Sequence, residues 1–393
     1  MRQVKFFVIS CFLLVMMVKS HHQPSLSEQT ARHAFLIQNP QVYYLIEDKI
    51  NLSALPEHII RALLVLDVAK VKFEWAIRLA KQQRFDESRL YWQKYYLDGM
   101  EQQRARLAQA FIQNDAFDEL QRLQQMYSLP QKLSVLLESE RGTLPQALPR
   151  ESLAAWRLRI VSDDLQFSGL CKNRVLLVSD HYRGVKRLNK LKKQYLKKPE
   201  PEANSYCFTE VFYIGNIMAC EGTDGQFARC NAEGLIEQYK DSMDNVDYVI
   251  VMTKSGQANV TNGMMTLTLS SDYQVFLHEL MHFSGFEDEY AVAPEKARWL
   301  CKKEGRYAPN LIVAESPPDE GWYESKTCRN GALTAYKPSK DWSIMQYQEL
   351  PLSHKYRQLW QNAINSRRYQ LPTFFNWKTN QNTATLYESA SEI

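Results

Sequence analysis

Near residue 170 this 393-residue chain changes its hydrophobic period, and that change constrains the fold more than any other feature. From about Ser27 to Ser168 it is rich in Leu, Ala, Gln, Glu and Arg and poor in glycine, and apolar residues recur three and four positions apart, the spacing of one helix face. Ile59, Leu63, Leu66 and Ala69 share such a face, as do Leu107, Phe111 and Phe117, while Pro130, Pro145 and Pro149 punctuate the run. The pattern predicts an all-helical region of about five or six helices. Phe85, Tyr91, Trp92 and Tyr95 look like one helical hairpin, but a search at the period of about 34 residues finds no second copy in register.

After Cys171 strands and helices alternate, which predicts an α/β domain. Arg174 to Asp180, Tyr206 to Ile214 and Val246 to Thr253 read as strands, and Val185 to Lys198 and Asn231 to Met243 as helices. Asn262-Gly263 precedes a further strand, Met264 to Leu269, whose alternation predicts an edge strand beside a cleft. The expected organisation is therefore α followed by α/β: a helical domain over 27–168, a second domain over 171–370 and a tail over 371–393.

The first twenty residues read as an export signal, with Arg2 and Lys5 ahead of an apolar run from Phe6 to Val18. The run is shorter than the roughly 20 residues a spanning helix needs, and no clean cleavage site follows it, so the readings are a cleaved signal, a retained membrane anchor and, less well matched because the strongest apolar stretch follows Cys11, a lipoprotein box at Val8-Ile9-Ser10-Cys11. Each places the rest of the chain on the non-cytoplasmic side: periplasmic, secreted or membrane-anchored. Beyond Cys11 the cysteines are Cys171, Cys207, Cys220, Cys230, Cys301 and Cys328, an even set that predicts disulfides in an exported chain. Cys220 with Cys230 and Cys301 with Cys328 would each close a short loop, although sequence alone does not choose the connectivity. The charge balance, 48 basic against 44 acidic residues, gives no reason to expect a nucleic-acid partner. The one basic helix, from Arg183 to Lys198, reads as a solvated outer helix with Val185, Leu188, Leu191 and Tyr195 turned inward.

The chemistry concentrates in His278-Glu279-Leu280-Met281-His282. Ser271 can cap a helix whose Gln274 reaches back, so Asp272 to Ser284 is expected to be one helix. Residues four apart on a helix face the same way, so His278 and His282 can offer two imidazoles to one zinc ion while Glu279 borders its open side. Gly285 can stop the helix, and the returning chain can bring Asp288 opposite the histidines as the third ligand; Glu287 and Glu289 are the alternatives. Three protein ligands and an open position describe a catalytic zinc site, with Glu279 as general base. His181 and His354 are not assigned to the metal.

From His278 to Asp288 the chain resembles the metzincin peptidases, whose pattern is His-Glu-x-x-His-x-x-Gly-x-x-His/Asp followed by a methionine turn. Ser343-Ile344-Met345-Gln346-Tyr347 is similar to that turn, and Asp288-Glu289-Tyr290 resembles the bacterial branch typified by immunoglobulin A peptidases. The resemblance spans at most Arg174 to Arg368. It implies that Met345 underlies the metal and that Tyr347 either ligates zinc or stabilises the oxyanion, although Gln346 departs from the usual histidine. It also implies a looser C-terminal part after the zinc helix. The expected activity is hydrolysis of a protein or peptide substrate. The rival expectations are a zinc amidase acting on a non-peptide or cell-wall amide, and a non-catalytic helical binding protein with a relic zinc site.

Overall fold

A computed structural model describes residues 26–161, 165–167, 170–318 and 320–374. The export segment 1–20, Cys11 and most of the 371–393 tail lie outside the described residues. Two compact units divide the chain, one ending at Tyr127 and the other starting at Ser128.

The first unit is helical: α1 (Leu26–Gln38), α2 (Glu57–Leu63), α3 (Ala69–Lys81), α4 (Phe85–Tyr95), α5 (Glu101–Gln113) and α6 (Phe117–Met126), with a one-turn α-helix (Tyr43–Ile46) and three 3-10 turns between α1 and α2, so the helices over 27–168 outnumber the five or six expected. Ile59, Leu63, Leu66, Val71, Trp75 and Leu79 form a core there, so the apolar stripe from Ile59 onward runs through a break between α2 and α3 rather than along one helix. α3 packs on α4, α5 on α6, and α3 on α5. The two hairpins are copies: Ala69 and Glu101, 32 residues apart, open their first helices, and Phe85 and Phe117 open their second. Phe85-Asp86-Glu87 matches Phe117-Asp118-Glu119, and Gln83 and Asp115 both turn the chain with positive φ, at 63° and 53°. The 34-residue template missed this repeat because its period is two residues shorter.

The second unit begins with α7 (Gln131–Arg141) and α8 (Arg150–Ala155), helices that belong to it although their texture resembles the first unit. Glu140 accepts hydrogen bonds from Arg183 N at 3.0 Å and Arg183 Nε at 2.7 Å, and Asn216 N donates to Gly142 O at 2.8 Å. Those bonds explain why the units divide at 127/128 and not at the change of texture.

Beyond them the elements alternate: β1 (Arg174–Ser179), α9 (Tyr182–Lys197), β2 (Cys207–Tyr213), α10 (Glu233–Tyr239), β3 (Tyr248–Thr253), β4 (Asn259–Thr261), β5 (Met264–Thr268), α11 (Tyr273–Phe283) and α12 (Pro294–Leu300). The strands form one sheet in the order β2-β1-β3-β5-β4, parallel except for β4. The edge strand is thus β4, and β5 lies inside it. Asn262 and Gly263, with φ of 55° and 73°, make the tight hairpin turn that joins them, the conformation an Asn-Gly pair favours. β4 escaped sequence reading because Asn259-Val260-Thr261 carries a single large apolar residue. On one face Leu176, Val178, Val249 and Val251 pack with Leu235, Met243 and Ile214. On the other, Val175, Leu177 and Ile250 alternate toward α9, whose inward Val185, Leu188, Leu191 and Tyr195 are buried as expected.

The C-terminal part is more regular than the resemblance implied. β6 (Gly305–Ala308), β7 (Leu311–Ala314), β8 (Tyr323–Ser325) and β9 (Thr334–Lys337) form a four-stranded antiparallel sheet in the order β6-β7-β9-β8, before α13 (His354–Ser366). Its core includes Leu300, Leu311, Val313 and the Cys301–Cys328 disulfide. Cys220–Cys230 and Cys171–Cys207 are the other two bridges, so all six cysteines after Cys11 are paired. Among the described residues no helix is long and apolar enough to cross a membrane.

Candidate metal centre

α11 is the helix expected to carry the site, and its cap differs by one residue. Asp272 is the N-cap, its carboxylate accepting from Gln274 N at 2.9 Å and Val275 N at 3.0 Å, whereas Ser271 Oγ accepts from Thr268 N. Phe276, Leu277, Leu280, Met281 and Phe283 bury the helix on most sides, and Phe283 stacks on Tyr248 with ring centres 4.1 Å apart. Tyr206 OH and Trp360 Nε1 both reach Ser284 Oγ, at 2.7 and 3.0 Å, and so anchor its C-terminal end. Gly285 then turns the chain with φ +78° where Tyr369 O leaves no space for a Cβ, so glycine is required both for conformation and for room.

That turn places Asp288 opposite the histidines. His278 Nε2 and His282 Nε2 lie 3.1 Å apart, and Asp288 Oδ1 lies 3.3 Å from the first and 3.4 Å from the second. The other ring nitrogens are committed: His278 Nδ1 is 2.9 Å from Ile344 O and His282 Nδ1 is 2.8 Å from Phe286 O. A carbonyl only accepts, so each Nδ1 carries the proton, and in a neutral ring Nε2 is then a bare lone pair. Two imidazole lone pairs and a carboxylate oxygen therefore converge. Asp288 Oδ1 is buried and has no hydrogen-bond partner among the described residues.

A cation suits this arrangement. Ligand atoms about 2.0–2.1 Å from a tetrahedral ion are about 3.3–3.4 Å from one another, close to the three separations observed. His278, Glu279 and His282 also form a group that could hold a metal ion, each offering an atom within 4.8 Å of the others. Asp288 makes the tighter triangle with the two histidines, which leaves Glu279 beside it. The carbonyls of Ile344 and Phe286 fix the two imidazoles, the kind of outer hydrogen bond that orients histidines at metal sites.

In the metal-free protein the same groups answer one another's charge, with a proton on the imidazole where the cation would sit. Burial pulls the His282 imidazole down, but the Asp288 carboxylate beside it outweighs burial and lifts it to about 9. Burial likewise pushes Asp288 up, and the two imidazoles more than reverse this, holding its carboxyl well below the ordinary carboxylate range. Glu279, only 3 % exposed, is raised chiefly by burial, with His282 and His278 pulling against it.

The other acids near Asp288 are engaged elsewhere. Glu287 Oε2 pairs with Lys296 Nζ at 2.6 Å, and the Glu289 carboxylate is taken up by Asn310, Ser343 and Tyr356. His181 is buried against Asp180 at the start of α9, and His354 is the exposed first residue of α13, so neither approaches the triangle.

Ser343 to Tyr347 forms a turn, with Gln346 N and Tyr347 N both donating to Ser343 O, and Met345 within it is fully buried. Its Ile344 carbonyl holds His278, which ties the turn to the centre. Tyr347 lines the cleft, 37 % exposed, with its ring 5.1 Å from that of Trp342. Sequence reasoning gave Tyr290 no role, yet it lines the same cleft; its hydroxyl is raised by burial and then by Asp288. The cleft holds about 1280 Å³ and is bordered by Asn259, Val260 and Thr261 of the edge strand and by Glu279, His282 and Asp288.

No protein-family model and no curated protein matches the chain.

Proposed function

We propose that the chain is an exported zinc-dependent endopeptidase of the metzincin type. The observation that carries this reading is the convergence of His278 Nε2, His282 Nε2 and Asp288 Oδ1 beside a buried glutamate in an open cleft. A site built only for structure would be closed by a fourth protein ligand. Zinc is favoured by the two nitrogens, one carboxylate oxygen and tetrahedral spacing, and when bound it lowers the pKa of a water and polarises a carbonyl.

The chain's own residues supply the rest. β4 leaves one edge toward the cleft, so an extended peptide can add to the sheet through main-chain hydrogen bonds and lie across Glu279. Glu279 takes a proton from the attacking water and delivers it to the leaving amine. Tyr347, on the cleft wall, donates to the carbonyl oxygen as negative charge develops there. The three disulfides fit an oxidising compartment, which agrees with an exported enzyme.

The test is cleavage of a mixed peptide library by the exported protein and its Glu279→Gln variant, with zinc content measured in both. Zinc in both and hydrolysis reduced about 10²- to 10⁴-fold in the variant is the expected result. A variant nearly as active as the parent would remove Glu279 as base. Zinc without any peptide cleavage by the parent would overturn the peptidase reading in favour of a non-peptide amide or a binding role.

A further inference from the structure

Glu289 follows the third ligand directly, is 0 % exposed, and is not used by the mechanism above. Its carboxylate accepts from Asn310 Nδ2 at 2.9 Å, from Tyr356 OH and from Ser343 Oγ, with Lys337 Nζ 3.7 Å away. Its backbone is fixed too: Glu289 N donates to Met345 O at 2.9 Å, and Ser325 Oγ donates to Glu289 O at 3.2 Å. Lys337 continues the cluster by donating to Gln346 Oε1 at 2.7 Å and to Asp341 O at 2.9 Å.

These partners come from the approach to β7, the end of β9, the turn at Ser343 and the first helical turn of α13. A buried carboxylate with this many donors is an expensive way to fill space, since an apolar side chain would avoid desolvation altogether. What the polar cluster provides is registration. It fixes the segment carrying Asp288 against the turn whose Ile344 carbonyl orients His278. One side chain therefore acts on two corners of the ligand triangle: on Asp288 through the chain, and on His278 through the turn.

We propose that Glu289 is a positioning residue that locks the Asp288 segment and the Ser343–Tyr347 turn in the register the metal needs, and thereby sets metal affinity. This rests on the reading of Asp288 as a ligand. Glu289→Gln keeps the shape and removes the charge for which the donors are arranged; Tyr356→Phe removes a single donor. Glu200→Gln is the matched control. Glu200 is also buried, and its carboxylate is held by Arg357, the neighbour of Tyr356 on α13, with bonds of 2.5 and 2.9 Å.

Zinc affinity is read by competition with a chromogenic chelator on the full folded chain, beside the melting temperature of the zinc-free form. We expect Glu289→Gln to bind zinc roughly 10- to 100-fold more weakly, the range for lost outer-sphere partners, and Tyr356→Phe several-fold more weakly. Glu200→Gln should melt lower yet bind zinc as the parent does. If Glu289→Gln fails to fold, Tyr356→Phe against Glu200→Gln decides alone. Parent-like zinc affinity in the Glu289 and Tyr356 variants, or an equal loss in the control, overturns the proposal. A parent that takes up no zinc overturns the metal reading itself, a separate outcome.

Discussion

In the helical unit Glu74 is 0 % exposed, and its carboxylate meets Arg106 with bonds of 2.6 and 2.7 Å, while Arg78 stands 3.6 Å away. In the α/β unit Asp288 is also largely buried, and its near oxygen lies 3.3 and 3.4 Å from the Nε2 atoms of His278 and His282. Both regions have taken a carboxylate out of water. Glu74 is answered by guanidinium groups from its own and a neighbouring helix, so the charge is spent holding α3 to α5. Asp288 is answered by two imidazoles whose outer nitrogens donate to carbonyls and whose inner nitrogens can exchange a proton for a cation. A buried acid whose partner is a permanently charged guanidinium is part of the framework, whereas one that faces two imidazoles belongs to a group that could hold a metal ion.

Substitutions should separate these roles. The largest effect is expected at the metal centre, where Glu279→Gln costs two to four orders of magnitude in hydrolysis and leaves the melting temperature near that of the parent; a collapse in stability would instead make Glu279 a framework acid like Glu74. Arg106→Ala should do the opposite. It leaves Glu74 short of its bidentate partner and should lower the stability of the helical unit by about 3 kcal/mol, the lower end for a broken buried pair because Arg78 remains close. Urea unfolding followed with zinc content checks this, and lost zinc would blur the distinction drawn here.

Reduction divides the units in another way. The described residues of the helical unit contain no cysteine, while all three bridges lie in the α/β unit. Closing a loop such as Cys301–Cys328, with a sequence separation of 27, stabilises by about 3 kcal/mol. A reducing agent should therefore lower the melting of the α/β unit alone, and equal shifts in both would count against these bridges. The smallest effect concerns the repeat. Gln83→Gly and Asp115→Gly relieve the same positive-φ turn at equivalent positions, and each should stabilise by about 0.5–1 kcal/mol. Changes of opposite sign would undercut the equivalence of the two hairpins.

What the sequence made legible follows from how local each signal is. The His278–His282 helix, its stop at Gly285 and the return to Asp288 are read within eleven residues, and the structure brings these groups together. β1, β2 and β3 are visible as apolar runs because a parallel sheet buries both faces, whereas the alternation of β5 shows a strand but suggests an edge that β4 in fact occupies. β4 and the sheet from Gly305 to Lys337 are not visible, since their strands are short and several positions face solvent. The Glu289 cluster was hidden for a different reason. Its partners Asn310, Lys337, Ser343 and Tyr356 are scattered over the next 67 positions, and nothing in the local pattern joins them. α7 and α8 were assigned by texture to the helical region, because helix propensity does not say which core a helix packs on.

The most direct test of the central claim is zinc stoichiometry in the parent, in Asp288→Ala and in Glu287→Ala. The geometry predicts one zinc per chain in the parent and in Glu287→Ala, and little or none in Asp288→Ala. Full zinc in Asp288→Ala with loss in Glu287→Ala would contradict the ligand triangle and the reading built on it.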